Sequence, residues 1–361
     1  MYLTTVNLTD YLLSRGLVEH KSIIDGGLRI TELECRHRSF FVRQSHGQQL
    51  FVKQIKSVND QTLQGFEAES NCYQFAATTP AFGSLAELIP PFIRYDHRRF
   101  VLVLEYLVGS RDLVTYHRTQ GLMPTEVAQE FGQKLAEVHT AGRQATAETL
   151  SAVSPPERIP WIFSIHRGDY VLSRANRQLI DLALKNEAFS LQLDELHQNW
   201  RQDTLLHGDV KWLNCLLHEA KGKTNIYLID WEMLQLGESL WDVAGFIQSY
   251  LSEWTLQPNK ERELTLDQWI ERYADAIRIQ HDSIHSFWSA YAQTAGLDTA
   301  LTGSDFQRTL LYVAGRLFQT VYEYLSQQET LFPEAIRTLE LAQRLLAKDA
   351  DTIELTLGVA Q

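Results

Sequence analysis

In the first hundred residues the apolar positions fall into short runs rich in β-branched and aromatic side chains. Residues 28–34, 39–44 and 49–55 have this strand-like character, and Ser45-His46-Gly47-Gln48 supplies a hairpin turn between the last two. A short capped helix running from Asn7 to Gly16 precedes them. Residues 60–77 read as a helix, and another strand pair is expected around residues 92–95 and 100–105. From about Asp112 the period changes. Val127, Phe131, Leu135 and Val138 recur at helical spacing behind Pro124, and helical patterns fill residues 175–200 and nearly everything after Ser239. One strand-like island, residues 205–230, interrupts them. The pattern predicts an α+β chain in two lobes. A small antiparallel-sheet lobe with one helix covers residues 1–106, and a hinge lies near residues 105–109. A larger, mainly helical lobe covers residues 107–361.

Composition narrows the function more than the fold. The chain has 361 residues, 44% hydrophobic and 22% charged, and can bury a large core without covalent staples. Its three cysteines, Cys35, Cys72 and Cys215, are odd in number and lack CxxC spacing. A disulfide scaffold or zinc knuckle is therefore not expected, and a reducing compartment fits. The first residues lack a basic region followed by an apolar core, and the densest apolar stretch, residues 100–109, is short and carries Glu105. Neither secretion nor a membrane span is expected, which makes the cytoplasm the expected location. A net charge of −12 argues against nucleic acid as a partner and suits cationic ligands or a magnesium-bound nucleotide.

The residues that carry chemistry cluster in the island. His207-Gly208-Asp209-Val210-Lys211-Trp212-Leu213-Asn214 is followed by an apolar strand and Ile229-Asp230-Trp231-Glu232. Phosphoryl transfer needs one carboxylate to orient the attacking hydroxyl and take its proton, and hard oxygen ligands to hold Mg²⁺ against the phosphates. Asp209 and Asn214 on one loop, with Asp230 at the end of the next strand, supply both. Upstream, Lys53 interrupts the apolar run of residues 49–54, where an ammonium could reach α- and β-phosphates as a point charge. It needs an acid partner, and the following helix offers Glu67 and Glu69. Glu69 is preferred because Cys72, Tyr73 and Phe75 follow on its inward face.

The HGDxxxxN…IDWE arrangement resembles the aminoglycoside phosphotransferase and choline kinase family, relatives of the protein kinases. That resemblance implies a protein-kinase-like two-lobed fold and an ATP- and Mg²⁺-dependent enzyme. Asp209 would be the catalytic base, Asn214 and Asp230 the metal ligands, and Glu232 a support for a second metal or its waters. Lys53, about 150 residues before the HGD loop, takes the place of the kinase lysine. Lys211 departs from the histidine usual in the aminoglycoside enzymes and looks like the protein-kinase catalytic loop. It either steadies the γ-phosphate or is a solvated loop lysine. No GxGxxG covers the phosphates; the turn around residues 35–42 would do so with backbone N–H groups and Ser39 or an arginine. Backbone groups of Glu105 and Leu107 would receive adenine. Asp242 would brace the catalytic loop, and His139 would pack in the core. Residues 155–200, with Trp161, Phe163, Tyr170 and Trp200, would shape the acceptor side.

The expected reaction moves the γ-phosphate of MgATP to a hydroxyl. The acceptor is either a small cationic metabolite, aminoglycoside-like, or a peptide Ser/Thr, as in kinases of lanthipeptide assembly. A non-catalytic nucleotide-binding pseudokinase scaffold is the alternative. Two other motifs carry nothing: Gly222-Lys223-Thr224 lacks the upstream glycine of a phosphate loop, and His281 with His285 lacks the remaining ligands of a zinc site.

Overall fold

The computed structural model describes residues 2–34, 36–57, 59–153, 156–168, 171–220, 222–258 and 264–359. Helices α1 (Leu8–Ser14) and α2 (His20–Ile24) precede β1 (Arg29–Leu33), β2 (Arg38–Arg43) and β3 (Leu50–Gln54). Then come α3 (Asp60–Thr78), α4 (Gly83–Leu88), β4 (Phe92–Asp96) and β5 (Val101–Glu105). After the two-residue β6 (Arg111–Asp112) the chain forms α5 (Leu113–Gln120), α6 (Thr125–Gln144), α7 (Ala147–Leu150), α8 (Arg174–Leu184) and α9 (Glu187–Gln198). The island consists of β7 (Thr204–Leu206), β8 (Cys215–Ala220), β9 (Lys223–Leu228) and β10 (Gln235–Gly237). Helices α10 (Leu240–Thr255), α11 (Leu266–Ala295), α12 (Ser304–Tyr324), α13 (Pro333–Leu346) and α14 (Ala350–Leu357) follow.

Two compact units emerge. The first joins Met1–Arg111 with Gln144–Pro155 and Leu216–Leu234. Its sheet has the order β1-β2-β3-β5-β4, antiparallel throughout. Because side chains alternate across a strand, each strand has two faces with different partners. Phe40 and Val42, Leu50 and Val52, Val101 and Val103 share one face and pack with Leu8, Tyr11 and Leu12 of α1. Lys53 is out of step with that set. It stands opposite Ser39 on β2 and Leu102 on β5, on the other face.

The second unit comprises Asp112–Arg143, Pro156–Cys215 and Gln235–Gln361. At its centre α10 is buried all round from Leu240 to Leu251, as expected for a helix apolar on every side. Gly245 lets α10 come close to the loop after β7, because a Cβ there would lie 2.3 Å from the Val210 carbonyl oxygen. The helical stretch predicted over residues 175–200 is two helices. The Asn186 side chain accepts from the Phe189 N–H and starts the second, which breaks the run. Along the chain, an antiparallel-sheet first part is followed by a mostly helical remainder, as the pattern predicts.

Candidate active site

Lys53 is a cation inside a β-strand, only 8% exposed. Burying an ammonium is unfavourable without partners, and two carboxylates provide them. Its Nζ donates to Glu69 Oε2 at 2.6 Å and to Asp230 Oδ1 at 3.1 Å. Glu69 comes from α3, whose first turn is fixed by the Asn59 side chain accepting from the Thr62 N–H. Of the two glutamates on that helix, Glu69 is the one that meets Lys53. Asp230 follows β9 in the left-handed region, φ 68° and ψ 59°. Aspartate tolerates this conformation better than most residues, and such strain is common at functional positions. Burial works against the Lys53 ammonium, but the Glu69 and Asp230 carboxylates outweigh it and raise its pKa. Two acids share one ammonium here, so one negative charge is in surplus. Burial pushes the Glu69 carboxyl up to about 7, with Lys53 pulling against it and the Asp230 charge adding to the rise.

The second cluster lies in the second unit, on the loop after β7. That loop turns at Gly208, φ 81°, and is tied to α10. The buried Asp242 carboxylate accepts from the His207 N–H at 2.8 Å and from the Gly208 N–H at 2.9 Å. Trp241 Nε1 donates to the Gly208 carbonyl at 3.1 Å. His139 approaches Asp242 with Nε2 at 3.3 Å and Tyr291 with Nδ1 at 2.9 Å, inside the core. Held this way, Asp209 lies between two cations. Lys211 Nζ is 2.6 Å from Oδ2, and Arg316 Nη2 donates to Oδ1 at 3.0 Å and to the Val210 carbonyl at 2.9 Å. Burial alone would raise the Asp209 pKa. The Arg316 guanidinium and then the Lys211 ammonium overcome it and hold the carboxyl below its ordinary range. Asn214 Nδ2 donates to the Asp209 carbonyl at 2.9 Å, which leaves its Oδ1 as a hard oxygen donor. An ionised base beside an amide oxygen, on a braced loop, can accept a proton from a hydroxyl and ligate a hard cation.

Residues 31–284 match the profile of the phosphotransferase enzyme family. The chain belongs to that family. Solved structures similar to it include the choline kinase LicA from Streptococcus pneumoniae, at 15% identity over 93% of this chain and 99% of that one, with a TM-score of 0.51. The GDP complex of an aminoglycoside 2′-phosphotransferase is similar at 11% identity, 97% and 98% coverage and TM-score 0.55. The microcompartment-associated aminopropanol kinase matches at 14%, 95% and 98%, and 0.56. At such identities these likenesses show the fold, which is protein-kinase-like. No curated protein matches the chain significantly.

In this phosphotransferase the other predicted positions are placed as follows. Ser39 belongs to β2 rather than to the turn before it, and its buried hydroxyl donates weakly to the His37 carbonyl at 3.5 Å. Cys35, in that turn, lies outside the described residues, as does Tyr170. Glu232 receives Arg36 Nη1 at 2.5 Å and stands 3.7 Å from His37 Nε2, so it anchors the turn between β1 and β2. The Glu105 N–H donates to the Pro91 carbonyl, and the Leu107 carbonyl accepts from the Ser110 N–H. The Glu105 carbonyl and the Leu107 N–H stay outside these bonds. Phe163 is fully buried in a cluster with Trp200, Trp241 and Tyr312, so it supports the loop through Trp241 rather than facing solvent. Gly222 turns the β8–β9 hairpin, and His285 Nε2 donates to the Leu357 carbonyl at 2.7 Å, at the end of α14. Among the described residues no group of three or more His, Cys, Asp or Glu could hold a metal ion by itself.

Sequence reasoning missed Arg316. It sits on α12, 107 residues beyond Asp209, with its guanidinium 5.1 Å from the Trp241 ring centre. The available signal was a single cation inside the apolar run Leu310-Leu311-Tyr312-Val313-Ala314-Gly315-Arg316-Leu317-Phe318. A buried arginine of that kind requires an acid or carbonyl partner, although the sequence does not say which.

Proposed function

We propose that the protein transfers the γ-phosphate of MgATP to a hydroxyl of a small cationic alcohol. One observation carries this reading: the Asp209 carboxylate is held ionised by Arg316 and Lys211 on a loop that also presents the Asn214 amide. The acceptor oxygen would bond to the γ-phosphorus as the bond to the ADP oxygen breaks, and the hydroxyl proton would pass to Asp209. Lys211, beside that carboxylate, would steady the transferring group. Lys53, oriented by Glu69, would bind the α- and β-phosphates, and Ser39 on the neighbouring strand shares its face. The Glu105 carbonyl and Leu107 N–H would receive the adenine edge.

Asn214 and Asp230 offer the hard oxygen donors that suit Mg²⁺, which takes few protein ligands and completes its shell with phosphate and water. Such a cation neutralises charge on the phosphates during transfer. Glu232, held by Arg36, would support the ligand two positions before it rather than stand alone.

The acceptor class is supported by the related fold of kinases named for choline, aminoglycosides and aminopropanol, and by the net charge of −12. The test is ADP release and product mass with MgATP across choline, aminopropanol, aminoglycosides and a Ser/Thr peptide. Phosphorylation of an amino alcohol that Asp209→Asn slows about 10²- to 10⁴-fold is expected. Transfer to the peptide alone would overturn the acceptor class, and full turnover in Asp209→Asn would overturn the base.

A further inference from the structure

Arg316 is only 3% exposed, and a guanidinium buried that far is stable only where partners answer its charge. Of its five N–H donors, those on Nη2 are used, toward Asp209 Oδ1 at 3.0 Å and the Val210 carbonyl at 2.9 Å. Nε and Nη1 have no hydrogen-bond partner among the described residues. What stands beside them is a ring. Arg316 Cζ lies over the Trp241 indole, 5.1 Å from its centre. An indole face attracts a cation more strongly than the other aromatic side chains do. The attraction grows when the cation has left water, and it needs no N–H pointed at an acceptor.

Trp241 is itself held in place. Phe163, Trp200 and Tyr312 meet it edge-on, with ring centres 5.4, 6.1 and 6.0 Å away. A glycine precedes the arginine on α12. A Cβ at Gly315 would lie 3.7 Å from Trp241 Cζ3 and 3.0 Å from Phe163 Cε1, so the missing side chain lets α12 settle onto these rings. Through Nε1 the same indole donates to the Gly208 carbonyl at 3.1 Å, one residue before Asp209. One side chain thus touches both supports of the carboxylate: the turn that carries it and the cation that bonds its Oδ1.

We propose that Trp241 is a positioning residue for phosphoryl transfer, its indole face keeping the Arg316 guanidinium on Asp209 while its N–H sets the Gly208 turn. The proposal rests on the phosphotransferase reading of Asp209, so one arm of its test runs without substrate.

That arm is a double-mutant cycle read by denaturant unfolding. Trp241→Met keeps apolar bulk and removes the ring. It should raise the unfolding constant about tenfold more beside Arg316 than in an Arg316→Gln background. Equal effects in the two backgrounds would mean that the ring only fills space, and would overturn the proposal. If Trp241→Met does not fold, Trp241→Phe replaces it in the cycle; a coupling of about threefold is then expected, and none would overturn the proposal. The second arm measures ADP release from MgATP with an amino alcohol. Trp241→Met should lower kcat about tenfold with KM for MgATP unchanged, and Trp241→Phe should recover part of the loss. In the Arg316→Gln background the two variants should turn over alike. Equal kcat values for them beside the native Arg316, or a change confined to KM, would overturn the positioning role. A wild-type chain that transfers no phosphate would sink the phosphotransferase reading instead, and the unfolding cycle would still decide whether the indole holds the guanidinium.

Discussion

The two charged clusters have opposite arrangements. In the first unit one cation, Lys53, is shared by two carboxylates, Glu69 and Asp230. In the second, one carboxylate, Asp209, is shared by two cations, Lys211 and Arg316. Each cluster thus keeps its central group charged through burial and leaves one charge of the outer sign over. The surplus carboxylate around Lys53 suits a divalent cation. A surplus of positive charge around Asp209 suits a phosphoryl group and keeps the carboxyl ionised. The lesson is that a buried charge is kept by more than one partner when it must also be offered to a ligand.

The largest test of this contrast is the central acid. Asp209→Asn keeps the shape and removes the base, so turnover should fall about 10²- to 10⁴-fold in an ADP-release assay, and the melting temperature should fall too because Arg316 and Lys211 lose their shared carboxylate. Next is the central cation. Lys53→Met leaves Glu69 and Asp230 facing each other without an ammonium, and kcat/KM for ATP should drop about 10²-fold, chiefly through KM for the nucleotide.

Arg316→Gln should act on both stability and pH. Removing one of the two cations beside a buried carboxylate costs on the order of 2–3 kcal/mol, measurable by denaturant unfolding. Asp209, with its folded pKa depressed, contributes stability above its unfolded pKa that is lost as pH falls through the folded one. Without the guanidinium that folded value rises, so the acid limb of kcat should move to higher pH. An unmoved limb would show that Lys211 alone sets the ionisation.

The smallest effect belongs to Glu69. Its folded pKa, about 7 against an ordinary 4.5, means that the group contributes stability below the lower value and loses it as pH rises through the upper. Thermal unfolding of Glu69→Gln across that window should lack this decline. A wild-type profile flat between those pH values would remove the surplus-charge account of the first cluster.

Legibility differed between the clusters for a physical reason. Lys53 and Glu69 are 16 residues apart, on a strand and the helix that follows, so a local pattern of strand cation and helix acid narrowed the partner to Glu69, preferred, or Glu67. Asp230 reaches the same ammonium from 177 residues away because Leu216–Leu234 packs with the first unit. That membership is invisible to a reading that advances along the chain. The HGD loop announced itself through its spacing, and Asp242 through the family resemblance, which implied that it braces that loop. Arg316 did not, since nothing near it in sequence names its partner. Ser39 was read both as the start of a strand and as part of the phosphate-covering turn; it stands in the strand, paired with Lys53 on β3.

By itself the sequence determined which stretches are strands and which are helices, since alternation and helical spacing are local properties of the side chains. It also nominated the residues proposed for phosphoryl transfer, because few side chains serve as base, phosphate cation or hard ligand. Only the tertiary structure decided how those charges are shared: that Asp230 joins Glu69 at Lys53, and that Arg316 joins Lys211 at Asp209. Desolvation makes that decision, because a buried charge is stable only where folding brings a distant opposite charge within hydrogen-bonding reach.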